Sequence, residues 1–334
     1  MLFCKNLLLL VTVLFCFNTN AQTPQYKQQL TVAQDGSGDY TTIQEAINAV
    51  RAYSPEHVTI TIKNGIYIEK VTVPAWVTNI SFVGESRENT IISYADYSGK
   101  YFAKCADTLT NKAKHSTFTS YTMWVQGNDV DIKNITIRNT AGRVGQAVAL
   151  HVDGDRFVIQ NCNLLGNQDT LLTANGESRQ YYYNCYIEGT TDFIFGAATA
   201  VFQNCTIKSL LNSFITAAST TEHQQFGYVF LNCKLIAANE AQKVFLGRPW
   251  RAYAKTVFID CELGKHIVPE GWNNWSKKEN EQTAFYAEYH NTGEGAAIGK
   301  RALWSKQLTD KEAKQYTLEN IFSKNDKWMP EINK

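Results

Sequence analysis

Two aspartates of this 334-residue chain stand where paired acid and base chemistry could take place. Asp169 lies in the segment GNQDTL and Asp192 lies 23 residues later in TTDFIFG. Two carboxylates held about 5 Å apart cannot both ionise easily, so we expect one pKa to rise while the other stays low. Such a pair supplies a general acid together with a base or a nucleophile from one residue type.

A sequence repeat predicts that the two aspartates are neighbours. Short β-branched or aromatic runs, each followed by Asn or Asp, recur every 20 to 28 residues as KNITI, QNCNL, YNCYI, QNCTI, LNCKL and IDCEL. This period, without long helices, is typical of a solenoid whose strands stack about 4.8 Å apart. Asp169 and Asp192 each follow the Asn of their repeat by eight residues, so we expect them side by side. The repeated Asn itself suits a left-handed turn and a ladder of stacked amides.

Four further residues could complete a catalytic site around the aspartates. Gln146 and Gln168 carry neutral amides that could stabilise an oxyanion without competing for protons. Arg248, in LGRPW, could hold Asp192 ionised, and Trp250 offers a flat face on which sugar rings stack. The structural alternatives are a surface ion pair for the arginine and a core position for the tryptophan.

The first 21 residues have the composition of a secretory signal. Lys5 is followed by an apolar stretch over residues 7–17 and then by NTNA, a run too short to span a membrane. We therefore expect a signal peptide over residues 1–21 and one domain over 22–334, secreted or periplasmic and without a membrane anchor. Without Lys5 the side chains carry 31 basic and 31 acidic groups, so a basic surface for nucleic acid is excluded.

Six cysteines follow the predicted cleavage site, and Cys105 is the first of them. The other five come directly after the Asn or Asp of a repeat and should form an inward-facing column: Cys162, Cys185, Cys205, Cys233 and Cys261. Neighbours in such a column have about the Cα separation of a disulfide, which export permits. The cysteines lack close pairs and an accompanying His, so no zinc site is expected.

Helices are predicted near both ends of the repeats. DYTTIQEAINAVRAY contains a capping box, Thr42 with Glu45, and apolar residues at helical spacing, so this helix should close the N-terminal end. LTDKEAKQYTLENIF predicts a second helix, capped by Thr309, that packs back across the solenoid.

Several motifs together resemble a known family. AGRVGQAVAL, GNQDTL, DFIFG and LGRPW occur in the order and near the separations found in pectin methylesterases, the pectinesterase family. DGSGDYTTIQEAI, GIYIEKV, GWNNW and FYAEYHNTGEGA also resemble family segments, so the similarity covers about residues 30 to 322. The resemblance implies a right-handed, single-stranded parallel β-helix with short capping helices at both ends. It also implies a secreted enzyme that removes methyl groups from the esters of polygalacturonate.

The resemblance assigns roles to the polar residues already singled out. Matched by motif, Asp192 is the nucleophile and Asp169 is the general acid and later the base. Gln146 and Gln168 stabilise the oxyanion, and Arg248 fixes the nucleophile.

The resemblance also covers the substrate groove and one cysteine pair. Phe195 and Trp250 line the groove for methyl-esterified homogalacturonan, and a disulfide joins Cys185 to Cys205. No metal or organic cofactor is implied, and we expect a monomer. Arg143 departs from the family pattern, because many relatives have Pro there.

Three other functions are compatible with parts of this pattern. Carboxylates about 5 Å apart also suit a retaining glycosidase, which would release reducing ends instead of methanol. A non-catalytic polysaccharide-binding solenoid needs the aromatic residues but not the acid pair, the arginine and the glutamines together. An esterase acting on another polymer or on an acyl thioester would share the chemistry and differ in substrate.

Overall fold

The computed structural model describes residues 26–102, 112–323 and 326–332. The predicted signal peptide and Cys105 lie outside the described residues, and the domain boundary at residue 22 stays a prediction. Short strands wind into a parallel β-helix with three sheets, and each strand pairs in parallel with the matching strand one turn away. No helix in the described part of the chain is long and apolar enough to cross a membrane.

Within the described residues, seven turns of the solenoid contribute strands to all three sheets, which have eleven, eight and seven strands. The first sheet has eleven strands: Gln29–Val32, Val58–Ile62, Ile80–Gly84, Val130–Lys133, Phe157–Gln160, Arg179–Tyr183, Thr199–Gln203, Tyr228–Leu231, Lys255–Ile259, Phe285–Tyr289 and Lys306–Gln307. The second sheet has eight: Gly65–Tyr67, Thr90–Tyr94, Thr136–Asn139, Asn163–Leu165, Tyr186–Gly189, Thr206–Ser209, Lys234–Ala237 and Glu262–Leu263. The third sheet has seven: Val71–Val73, Met123–Val125, Leu150–Val152, Leu171–Thr173, Ile194–Gly196, Phe214–Ala218 and Phe245–Gly247.

The repeated Asn or Asp forms the corner between the first and second sheets. All six of these residues have left-handed backbone, with φ between 51° and 57°: Asn134, Asn161, Asn184, Asn204, Asn232 and Asp260. Asn and Asp adopt this conformation at lower cost than other side chains that carry a Cβ. Asn161 donates a hydrogen bond of 2.6 Å to the Asn134 amide oxygen, and Asn184 donates one of 3.3 Å to Asn161. The predicted amide ladder is confirmed at these corners.

The interior is filled by stacked rows of side chains from successive turns. One row consists of four aromatic rings with centroids 4.2–4.6 Å apart: Tyr182, Phe202, Phe230 and Phe258. Such rings each bury roughly 150–250 Å² and supply much of a core's hydrophobic stabilisation.

A second interior row is the predicted column of cysteines. The five described cysteines are all buried, and all are free thiols. The sulfurs of Cys185 and Cys205 each approach a main-chain carbonyl oxygen of the preceding turn, of Ile159 at 3.6 Å and of Tyr182 at 3.4 Å. The Cys185–Cys205 disulfide is therefore not formed in this structure, and the bridge stays a prediction for the exported protein.

The N-terminal helix forms where the sequence predicts it, but with only one half of the predicted capping box, because the Glu45 carboxylate accepts a hydrogen bond from the Thr41 hydroxyl instead of from the Thr42 backbone. It spans Ile43–Ala49, and the Thr42 side chain accepts a hydrogen bond from the backbone N–H of Glu45. Its apolar face is fully buried against the first turns of the solenoid core.

The C-terminal helix is split into two, Asp310–Ala313 and Leu318–Phe322, because Thr317 caps a second helix start. Thr309 caps the first of them within a capping box, as predicted. Ile321 and Phe322 pack onto the outer face of the first sheet, so the pair lies across the side of the solenoid. Short helical turns also occur at Asn280–Thr283, Thr117–Thr119, Glu294–Ala296 and Ile298–Lys300.

Candidate active site

The two predicted aspartates lie in adjacent turns on the outer side of the third sheet. Asp169 precedes the strand Leu171–Thr173 and Asp192 precedes Ile194–Gly196, and the pairing of these strands aligns the two carboxylates. Both residues have left-handed backbone, with φ of 65° and 49°. Both are also buried, with 4% and 6% of their surface exposed. Two carboxylates are thus held in a strained and largely dry position, an arrangement typical of functional sites.

Arg248 holds Asp192 through two parallel hydrogen bonds. Its Nε donates to one carboxylate oxygen at 2.9 Å and its Nη2 donates to the other at 2.6 Å. The guanidinium lies between two aromatic rings, 3.9 Å from the centroid of Phe214 and 3.7 Å from that of Trp275. Charge-assisted bidentate bonds and cation–π contacts together fix the orientation of the carboxylate.

The two carboxyl groups differ in how readily they lose a proton. Burial, and then the charge of Asp192, raise the pKa of Asp169 to about 8, against opposing effects of the Gln146 amide and the Arg248 charge. Burial also raises the pKa of Asp192 above its ordinary value, although the hydrogen bonds and charge of Arg248 lower it. The expectation that the pKa of the other carboxyl group of the pair, that of Asp192, stays low is therefore wrong. Arg248 nevertheless makes Asp192 the group that ionises first.

The two glutamines come from neighbouring turns and face the same cleft. Gln146 and Gln168 form a parallel β-bridge, although Gln146 precedes Asp169 by the same 23 residues that separate Asp169 from Asp192. The phase shifts because the chain has one residue more between Gln146 and Leu150 than between Gln168 and Leu171, and these two leucines are paired. Both amides therefore lie beside the carboxylates, as the proposed oxyanion role requires.

These residues line one cleft of about 330 Å³. Its lining consists of Thr117, Phe118, Gln146, Gln168, Asp169, Asp192, Phe195, Ala217, Arg248, Trp250 and Trp275. All seven catalytic and substrate-binding residues predicted from the sequence are among them. The rings of Phe195 and Trp250 lie 6.0 Å apart between centroids, with Phe195 buried and Trp250 half-buried. Trp250 therefore presents part of its ring to the cleft and is not a core residue.

Sequence reasoning did not identify Phe118 and Trp275 as site residues. Trp275 belongs to the segment GWNNW, which resembles a segment of the family but whose residues had no predicted function. No motif marked Phe118, whose side chain is 51% exposed at the cleft.

The segment that carries Phe118 is anchored by a buried cluster of charges around Asp96. Lys70 and Lys100 contact its two carboxylate oxygens at 2.6 and 2.8 Å, and His115 lies 3.4 Å away. Burial alone would raise the pKa of Asp96, but the hydrogen bonds from the two lysines bring it below its ordinary value. Nowhere in the described ranges do three His, Cys, Asp or Glu side chains form a group that could bind a metal ion.

Comparison with known proteins places this arrangement in one family. The pectinesterase family model matches residues 29–325. A pectinesterase of Petunia integrifolia is 37% identical over 329 residues, covering 93% of this chain and 84% of the relative. A putative pectinesterase/pectinesterase inhibitor of Arabidopsis thaliana is also 37% identical, but the chain spans only 42% of its length.

Solved structures give the same result. The pectin methylesterase from carrot superimposes with a TM-score of 0.79 at 34% identity, covering 90% of this chain and 95% of that one. A pectin methylesterase variant in complex with a hexasaccharide gives a TM-score of 0.78 at 29% identity, covering 93% of this chain and 100% of that one. With the family model matched over most of its length, this chain belongs to the pectinesterase family.

Proposed function

We propose that this chain hydrolyses the methyl esters of polygalacturonate and releases methanol, leaving free carboxylates on the polymer. The observation that carries the proposal is the pair of buried aspartates in adjacent turns, one bound by Arg248 and the other with its pKa raised to about 8. Membership of the pectinesterase family and similarity to a relative solved with a hexasaccharide support a pectin substrate.

The first half of the reaction forms an acyl-enzyme. One Asp192 oxygen attacks the ester carbonyl carbon, and the amides of Gln146 and Gln168 donate hydrogen bonds to the resulting oxyanion. Asp169 is protonated at neutral pH because its pKa is about 8, so it gives its proton to the departing methoxy group. The C–O bond to methanol breaks, and an anhydride links Asp192 to the galacturonate.

The second half of the reaction hydrolyses this anhydride. Asp169, now a carboxylate, takes a proton from water, and the hydroxide oxygen attacks the galacturonyl carbon. The bond to Asp192 breaks and restores its carboxylate beside Arg248. Both aspartates return to their starting protonation states without a metal or an organic cofactor.

The surroundings of the site fit a sugar polymer outside the cell. Phe195 and Trp250 offer apolar faces beside the carboxylates, which suits the flat faces of sugar rings. The signal-like residues 1–21 agree with the location of cell-wall pectin, so we include secretion or periplasmic export in the proposal. A single domain over 22–334 that acts as a monomer completes it.

Methanol release from highly methylated pectin is the direct test. The purified chain should release methanol and acidify the medium, and the number of reducing ends should stay constant. Reducing ends without methanol would indicate a glycosidase instead. If a folded protein binds pectin but releases neither methanol nor reducing ends, its function would be polysaccharide binding alone.

A further inference from the structure

The cleft does not end at the catalytic residues. A second, open hollow of about 660 Å³ adjoins it, and Phe118 and Trp250 line both. Beyond Trp250 this hollow is lined by Arg251, Tyr253 and His223, among others. A linked polymer that places one unit beside the aspartates therefore has room for a neighbouring unit on the other side of Trp250.

Arg251 is an exposed cation in the lining of this hollow. Its side chain is exposed, its guanidinium lies 4.6 Å from the centroid of the Trp250 ring, and its Nη1 donates to the Trp250 carbonyl oxygen at 3.3 Å. No carboxylate of the described residues lies within ion-pair distance of it, although Glu222 lines the same hollow. Arg248 differs, because its Nε and Nη2 both donate hydrogen bonds to the Asp192 carboxylate.

The reaction itself supplies an anion for this arginine. Each turnover converts a neutral methyl ester into a carboxylate on the same polymer, so the units next to a remaining ester are either neutral or negatively charged. A guanidinium with free N–H donors recognises a carboxylate, and the adjacent Trp250 face suits the sugar ring that carries it.

We infer that Arg251 binds the free carboxylate of an already de-esterified galacturonate unit while a neighbouring methyl ester occupies the catalytic cleft. This inference rests on the proposed function and deepens it, because it names a residue that sets the preferred methylation pattern. The enzyme should favour esters flanked by acid over esters flanked by other esters.

The test compares two substrates and three variants. The substrates are fully methylated pectin and the same pectin partly saponified with base. Arg251→Gln keeps a planar polar group over Trp250 but removes the charge, and Arg251→Lys keeps the charge. Lys234→Gln is the matched control, since Lys234 is an exposed cation on the second sheet that pairs with Glu262.

For Arg251→Gln, the ratio of kcat/KM on the partly saponified pectin to that on the fully methylated pectin should fall by up to about fivefold, the upper end of the range for losing one exposed ion pair. The change should lie in KM, shrink at high salt, and be largely reversed in Arg251→Lys. Inhibition by fully de-esterified polygalacturonate should weaken in parallel, and Lys234→Gln should change none of these values.

Two results would overturn the inference. One is an equal loss on both substrates, and the other is a lysine variant as impaired as the glutamine variant, since either would mean that Arg251 only supports the Trp250 ring. A wild-type chain that releases no methanol from either pectin would instead refute the proposed function. The two failures are therefore distinguishable.

Discussion

Two corners of this solenoid stack Asn or Asp residues with left-handed backbone in successive turns, yet one corner is structural and the other is the candidate active site. At the corner between the first and second sheets, neutral amides hydrogen-bond from turn to turn, as Asn161 does with Asn134. At the corner that leads into the third sheet, the stacked residues are Asp169 and Asp192. Both corners use the same backbone conformation, and they differ in the chemistry of the side chain.

An amide both donates and accepts hydrogen bonds, so a column of amides satisfies itself. An ionised carboxylate only accepts, so two of them in neighbouring buried turns need outside help. The Asp192 carboxylate accepts hydrogen bonds from Arg248. Asp169 avoids the repulsion by retaining its proton, because its pKa is raised to about 8. An aspartate alone does not make the difference, because the exposed Asp260 stands in the structural corner. The candidate active site differs in that two aspartates are buried side by side and one of them is bound by Arg248.

Removing either carboxyl group should have the largest effect. In the proposed mechanism Asp192→Asn lacks the nucleophile and Asp169→Asn cannot transfer protons, so each should lower kcat for methanol release by at least about 10³-fold. The double variant should be scarcely slower than either single variant, because the proposal has both groups serve one covalent cycle. Methanol assays beside circular dichroism melts check this. A folded Asp192→Asn protein that keeps most of its activity would show that the aspartate corner is structural too.

Changing Arg248, which donates two hydrogen bonds to Asp192, should have the second-largest effect on activity. Arg248→Lys keeps the positive charge but loses the two-pronged hydrogen bond, so we expect kcat to fall about 10²-fold with a modest loss of stability. Arg248→Ala should destabilise the fold by about 3–5 kcal/mol, because it leaves a buried carboxylate unpaired. Chemical denaturation and initial-rate kinetics measure the two effects. Full activity in the lysine variant would contradict a role for the paired hydrogen bonds.

The raised pKa of Asp169 should make both the stability and the activity of the protein depend on pH. Its folded pKa, about 8, exceeds its ordinary value of 3.8, so the proton stabilises the folded state most below the unfolded pKa, and this contribution is lost as pH rises through the folded pKa. Between about pH 4 and 8 the free energy of unfolding should fall more steeply in the wild type than in Asp169→Asn. The kcat of the wild type should also decline above about pH 8, because Asp169, the proposed general acid, is then ionised. Parallel pH slopes for the two proteins would argue against a raised pKa.

The smallest effect should come from introducing a carboxylate into the amide ladder. Asn184 donates a 3.3 Å hydrogen bond to Asn161, and Asp tolerates the same left-handed backbone. Asn184→Asp should therefore cost about 1 kcal/mol through the lost donor, with kcat and KM for pectin unchanged. Thermal melts and the methanol assay test both parts. A marked loss of activity would mean that the two corners are coupled.

Much of the fold and the site could be predicted because the chain repeats. In a parallel solenoid, residues one period apart become neighbours, so spacing along the chain translates directly into contact. That is why the two aspartates, the Asn corners and the cysteine column were found from the sequence. The four motifs in family order likewise point to the pectinesterase family from the sequence alone.

The tertiary structure decided what the repeat does not encode. One extra residue after Gln146 places it opposite Gln168. The segment that contains Phe118 is held beside the cleft by the ion pairs around Asp96, and the sequence repeat does not predict its position. Trp275 lies outside the strands, and its ring centroid lies 3.7 Å from the Arg248 guanidinium. The sequence period determines which strand residues become neighbours along the solenoid axis. It does not determine the positions of the loops, because their lengths differ from turn to turn. The sequence alone therefore determined which carboxylates meet, and only the folded loops determined what covers them, how deeply they are buried and which one retains its proton.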